Sequence, residues 1–209
     1  GRGCSGSAAR TEGHAEVVPW AHGMSRYFKI KDDLRDRWFL GDAVDADGVE
    51  VDSNCFHILS PRPPVTFPVK YPGRPVAFTM GPFDVPVLRR ELAVRIANLA
   101  GSHVRLVDAL IEGDAAEYSV LCVEPADVMD LNLSELRRWV PADGFPEMVG
   151  QVEDVERLVL DPVKVAGLHC FRIKEWEVVL VVSEQAAQEL SGCSGIKLVE
   201  LPLGPIGRA

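Results

Sequence analysis

Short stretches of β-branched and aromatic residues dominate the chain, interrupted by only two segments with helical spacing. Tyr27-Phe28-Lys29-Ile30, Val104 to Val107, Tyr118 to Val123, His169 to Ile173, Val155 to Leu160 and Ile196 to Val199 read as strands. Leu88, Leu92, Ile96 and Leu99 fall on one stripe, which predicts a helix over 88–100 with Gly101 placed to stop it. A second helix is predicted over 184–190, with Ser183 as its N-cap, Glu184 in its first turn and Gly192 as its stop. Between Trp38 and Asp52 the Asp47-Gly48 pair supplies the positive φ of a tight turn, and Val49-Glu50-Val51-Asp52 alternates, so a hairpin is expected there. Eight prolines between Ser60 and Pro86 confine the short β-like pieces around them to sheet edges and irregular connections. Many short strands, two principal helices and no regular βαβ alternation predict an α+β fold with a mainly antiparallel sheet.

Residues 1–23 break from this pattern. They are small and polar, without apolar periodicity, and a strand-like run follows Met24 almost at once. We therefore expect 1–23 to be a non-native or disordered extension and 24–209 to form a single domain. The extension lacks the apolar stretch of a secretory signal. The longest apolar run, Val178 to Val182, is far short of the roughly 20 residues a membrane helix needs, so no membrane span is expected.

Charge narrows the partners. With 22 Lys and Arg against 31 Asp and Glu, the chain carries a net charge of -9 and has no clustered basic face beyond the pairs Arg89-Arg90 and Arg137-Arg138. Nucleic acid is not an expected partner, since binding requires several phosphates to be neutralised. The five cysteines are odd in number and widely spaced, with no CxxC, which fits a reducing, cytoplasmic setting and no zinc site.

Candidate chemistry is sparse. No phosphate loop, nucleophile elbow or paired-histidine motif occurs, and His57, His103 and His169 each stand alone. We expect no catalytic residues, no metal and no cofactor. The alternative is a small hydrolase built on Cys170 or Cys55 with a histidine, or on the carboxylates of 45–52. Asp42, Asp45, Asp47, Glu50 and Asp52 superficially follow a calcium loop, but counting from Asp45 puts Gly48 at position 4 and Phe56 at position 12, where the EF-hand needs Gly at 6 and Glu at 12. Carboxylates gathered on one hairpin suit an acidic recognition surface, which steers a basic partner. Glu153, Asp154 and Glu156, with Glu147, extend the acidic candidates for partner binding.

Arg37-Trp38-Phe39-Leu40-Gly41, then Asp47-Gly48 and Asp52, Gly73-Arg74-Pro75-Val76-Ala77-Phe78-Thr79, Phe83-Asp84-Val85-Pro86-Val87, Phe171 to Trp176 and Val179 to Glu184 together resemble a known family. It is the family of immunity proteins from bacterial polymorphic toxin systems once known only as a domain of unknown function and numerous in myxobacteria. The resemblance spans about Met24 to Leu201. It implies a stand-alone cytoplasmic protein that binds and neutralises a cognate toxin encoded beside it, and it carries no active site across. A regulatory binding module without a toxin partner is the remaining alternative.

Overall fold

The computed structural model describes residues 25–51 and 63–205. The expected extension at 1–23, together with Asp52, Cys55 and His57, lies outside the described residues. In chain order the elements are β1 (Tyr27–Asp32), β2 (Phe39–Leu40), β3 (Val65–Phe67), β4 (Val69–Tyr71), β5 (Phe78–Met80), β6 (Pro86–Arg89) and α1 (Arg90–Ala100). They continue with β7 (Val104–Ile111), β8 (Tyr118–Val123), β9 (Pro125–Ala126), β10 (Glu135–Arg138), β11 (Val152–Arg157), β12 (Cys170–Ile173), β13 (Trp176–Ser183), α2 (Glu184–Glu189) and β14 (Ile196–Leu201). Strands dominate, the two helices are short, and the sheets are mostly antiparallel, as expected of an α+β fold.

Two five-stranded sheets carry the architecture, ordered β14-β1-β13-β12-β9 and β3-β7-β8-β6-β5. Among the described strands of these two sheets, only the pairings β12 with β9 and β3 with β7 are parallel. One face of each sheet meets α1 and α2 in a shared core that holds Ile30, Leu180 and Val182 from the first sheet and Phe78, Leu88 and Leu121 from the second. The opposite faces are covered too. Val87, Val107, Tyr118 and Val120 pack under Trp38, Leu40 and Val51, while Phe171, Ile173, Val179 and Val181 pack under Leu158, Leu160 and the ribbon residue Val155. Every residue of β8 and the last five of β13 are consequently buried. This explains the apolar residues Val179 to Val182, because a strand covered on both faces loses its polar alternation, while Val178 ahead of them is exposed. Where the sheets meet, Gly195 at φ +90 approaches the Phe78 carbonyl so closely that a Cβ would lie 2.0 Å from it.

Local signals hold where the deciding interaction is local. Ser183 caps α2 by accepting from the Ala186 N–H at 3.3 Å, and Gly101 ends α1 at φ +60. Non-local pairing corrects the rest. The first helix begins at Arg90 rather than Leu88, because Leu88 pairs with Phe78 on one side and Ser119 on the other. The strand expected over Val155 to Leu160 lies at Val152–Arg157, set by antiparallel pairing with β10, and Leu160 forms isolated bridges to Met129 and Leu203 instead. The strand expected over Val104 to Val107 runs on to Ile111 along β8. β3 and β5 are edge strands, as the prolines predict, but β6 is internal, with Pro86 tolerated as its first residue.

The 38–52 hairpin is also reshaped. Gly48 sits at φ +77 as predicted, yet the pairing shrinks to the bridge between Val44 and Glu50, flanked by backbone bonds between Asp45 and Val49 and between Val51 and Ala43. Trp38 to Leu40 leads into pairing with β4 rather than with residues 49–51. Val49, 61% exposed, breaks the predicted alternation, and only Val51 enters the core.

Candidate partner-binding surface

The predicted acidic residues fall into two groups that stand over different cores. At the first, the Asp45 carboxylate accepts the backbone N–H groups of Asp47 at 2.9 Å and Val49 at 3.0 Å, so it shapes its own turn. Asp47 and Glu50 are exposed on that turn, which rests on the core of Ala43 and Val51. The second group lies on the β10–β11 ribbon, over the core of Val155 and Leu136. Glu153 pairs with Arg137 at 2.6 Å and is mostly shielded, Asp154 caps the Val155 N–H at 2.8 Å, and Glu156 is exposed.

The ribbon's connection, residues 139–151, offers more than charge. At its neck the Gly150 N–H donates to the Trp139 carbonyl at 2.9 Å, the Trp139 N–H donates to the Gln151 carbonyl at 3.0 Å, and Arg138 donates to the Gly150 carbonyl at 2.8 Å. Pro141–Asp143 forms one 3-10 turn, closed when the Val140 N–H donates to the Asp143 carboxylate at 2.8 Å, and Gly144 continues at φ +82. That path folds Phe145 edge-on against the half-buried Trp139, ring centroids 5.2 Å apart. Val140, Phe145 and Val149 remain 49%, 50% and 42% exposed. Grouped apolar exposure of this kind, rimmed by charge, marks an interaction surface.

The arginines nearby are already engaged. Arg137 reaches Asp143 at 3.4 Å as well as Glu153, Arg138 reaches Glu175 at 2.9 Å, and Arg157 reaches Glu135 at 3.8 Å. Among the described residues, Glu147 in the loop and Glu156 toward the far end of β11 have no such ion partner, so each leaves a negative charge open to solvent. The other arginine pair behaves alike. Arg89 and Arg90 border an open pocket of about 540 Å³, but Arg89 faces Asp114 at 3.5 Å and Arg90 faces Asp108 at 3.1 Å.

Glu175 leads from the ribbon to the β12–β13 hairpin and a second exposed element. Arg172 on β12, largely buried, donates to the backbone carbonyls of Glu177 and of Asp84, the latter at 2.6 Å. Burial holds its pKa below the usual arginine value, with the Asp84 carboxylate opposing that shift, and burial likewise pushes Asp84 up. Asp84 belongs to the turn 81–85, which closes through the Gly81 N–H and the Val85 carbonyl at 2.8 Å and projects Phe83 into solvent. The preceding Met80 N–H donates to Asp32 at 3.1 Å. Asp32 pairs with buried Arg37 at 2.6 Å, and Arg37 also donates to Thr79 at 2.7 Å and the Trp38 carbonyl at 2.8 Å. Desolvation pushes the Asp32 carboxyl up to about 6, outweighing the neighbouring guanidinium.

The nucleophile candidates are differently placed. Cys170 is fully buried and its thiol is pushed up to about 12, which keeps it protonated at neutral pH. The adjacent His169 turns its Nδ1 to the Ser183 hydroxyl at 2.9 Å. Among the described residues no three His, Cys, Asp or Glu side chains gather where they could hold a metal ion. No described helix is long and apolar enough to cross a membrane.

Two features escape a reading of acidic residues alone: the 139–151 loop and the Phe83 turn. The aromatic pair Trp139 and Phe145, separated by Pro141 and Gly144, was the available signal for the first, since apolar rings inside turn-forming sequence are hard to bury. No protein-family model matches the chain, and the search of curated proteins found no match.

Proposed function

We propose that this chain is a non-catalytic, cytoplasmic immunity protein that binds and neutralises a cognate bacterial toxin. The observation that carries the reading is the exposed set of Val140, Phe145 and Val149, propped by Trp139, on a loop that also carries the exposed Glu147. An inhibitor acts by occupying another protein's surface, and such surfaces combine apolar anchors that desolvate on contact with a charge field that speeds encounter. The acidic sign suits a toxin with a basic substrate groove. The resemblance of the motifs between Arg37 and Glu184 to polymorphic-toxin immunity proteins supports the same reading.

The test is co-expression with the toxin domain encoded next to this chain's gene. Cells producing that toxin domain should survive only when this chain is present, and the two proteins should elute as one complex of fixed stoichiometry. Replacing both Val140 and Phe145 by Asp should abolish complex formation while the far-UV spectrum stays unchanged. A toxin domain that neither binds nor is neutralised would overturn the reading.

A further inference from the structure

Phe83 has a backbone that its side chain does not explain. It adopts φ 55, ψ 37, and Asp84 follows at φ 57, so two successive non-glycine residues lie in the left-handed region. A bulky aromatic is rare there because its Cβ crowds the backbone. Such conformations persist only where surrounding structure over-determines them, and they cluster at binding and switch regions. Here the ring is 64% exposed.

The surroundings instead fix the turn itself. Asp32 holds the Met80 N–H on its entry side, the Gly81 and Val85 backbones close it, and the guanidinium of Arg172 grips the Asp84 carbonyl on its exit side. Asp32 and Arg172 are themselves anchored, the first by Arg37 and the second by the Glu177 carbonyl. The result is a turn whose backbone is held from both sides while it presents the Phe83 ring to solvent. Nearby on the β12–β13 hairpin, Val178 is exposed and so is Glu177.

We infer that Phe83 is a preorganised anchor that enters an apolar pocket on a basic face of the partner protein. This rests on the toxin-binding reading and specifies one contact within it. A rigid exposed aromatic binds at low entropic cost, because its two side-chain torsions and its backbone need little further ordering. The partner face is basic by complementarity with Glu177 and with a chain charge of -9. That same charge opposes docking of a second copy of this chain and of nucleic acid.

The experiment uses the full chain and the toxin domain encoded beside it, with Phe83→Asn and Phe83→Ala. Asn occupies the left-handed region readily, so Phe83→Asn should melt within about three degrees of wild type or higher, since relief of strain offsets the small burial lost. Both variants should bind at least about thirtyfold more weakly, mainly through faster dissociation. Binding within threefold of wild type would overturn the anchor while leaving the immunity reading intact. A melting temperature lowered by more than about five degrees in Phe83→Asn would assign the ring to the fold instead. A wild-type dimer in gel filtration that Phe83→Asn dissolves would assign the contact to self-association. Failure of the wild-type chain to bind the toxin domain overturns both readings together.

Discussion

Replacing Arg37 by Met should destabilise the protein by an amount that grows with pH. Arg37 is 5% exposed and makes three polar contacts, to Asp32, Thr79 and the Trp38 carbonyl, while its guanidinium carbon lies 4.4 Å from the centre of the Phe39 ring. Asp32 titrates near 6 in the fold against 3.8 for the ordinary carboxyl, so the folded chain holds the extra proton between those values. Stability contributed by this group therefore falls as pH rises from about 4 to 6 and is level above that. Without Arg37 the folded pKa of Asp32 rises further, and the fall continues to higher pH in the variant while wild type stays level. At pH 8 the variant buries a carboxylate without its counter-charge, a loss of about 3–5 kcal/mol. At pH 5 Asp32 is largely protonated in both proteins, and the loss shrinks to the hydrogen bonds with Thr79 and Trp38, about 1–3 kcal/mol. Urea unfolding at pH 5 and pH 8 measures both differences. Equal losses at the two pH values, or a loss below about 1 kcal/mol at pH 8, would refute the reasoning about this pair.

Three further outcomes follow from individual contacts. Ser183→Ala removes the N-cap of α2 and the partner of His169, and should lower stability by about 1 kcal/mol, read as a melting shift of a few degrees. Cys170 should resist alkylation in the native protein at pH 8 and react only after unfolding, as peptide mapping of the modified chain will register; rapid native labelling would contradict its burial. Glu147→Lys with Glu156→Lys should slow association with a basic toxin domain and flatten its salt dependence, whereas Asp47→Lys should change the rate little; the opposite ranking would move the interface to the 45–50 turn.

How much of this was legible in the sequence depended on the range of the interaction that decides each residue. The Ser183 cap and the Gly48 and Gly101 conformations are settled within a few residues, and each was readable. Leu88 was not, because it continues the apolar stripe of Leu92 and Ile96 while its state is set by Phe78 and Ser119 on either side. β10 was not readable either. Glu135-Leu136-Arg137-Arg138 has a single apolar residue, and it is extended because β11 pairs with it and Leu136 caps a core. The acidic residues were visible in the sequence, but their neutralisation was not: that Arg137 shields Glu153 while Glu147 and Glu156 stay without an ion partner among the described residues depends on register across a bulged ribbon. The left-handed Phe83 carries no glycine to announce it, and its cause lies in Asp32 and Arg172, distant in sequence on either side.

The layering of the fold limits where recognition can occur. With the central strands of both main sheets covered on both faces, the cysteines they carry are committed to packing, as Cys122 and Cys170 are within β8 and β12. Exposed large apolar side chains stand at scattered positions such as Leu110, Val178 and Val199 of the sheets, and also on two elements outside them, the 139–151 loop of the ribbon and the 81–85 turn. Contacts tie both to the same hairpin, since Arg138 of the ribbon meets Glu175, and Arg172 meets Glu177 and Asp84. A partner that engaged one of them would thus bear on a hairpin already clamped by two arginines. Arg172→Lys is informative for that reason: an ammonium lacks the planar fork that spans two carbonyls, so the Phe83 turn should loosen while the ribbon surface around Phe145 is left as it is. Binding that weakens in Arg172→Lys, with Val140 and Phe145 untouched, would mark the Phe83 turn as a separate contributor to the same interface.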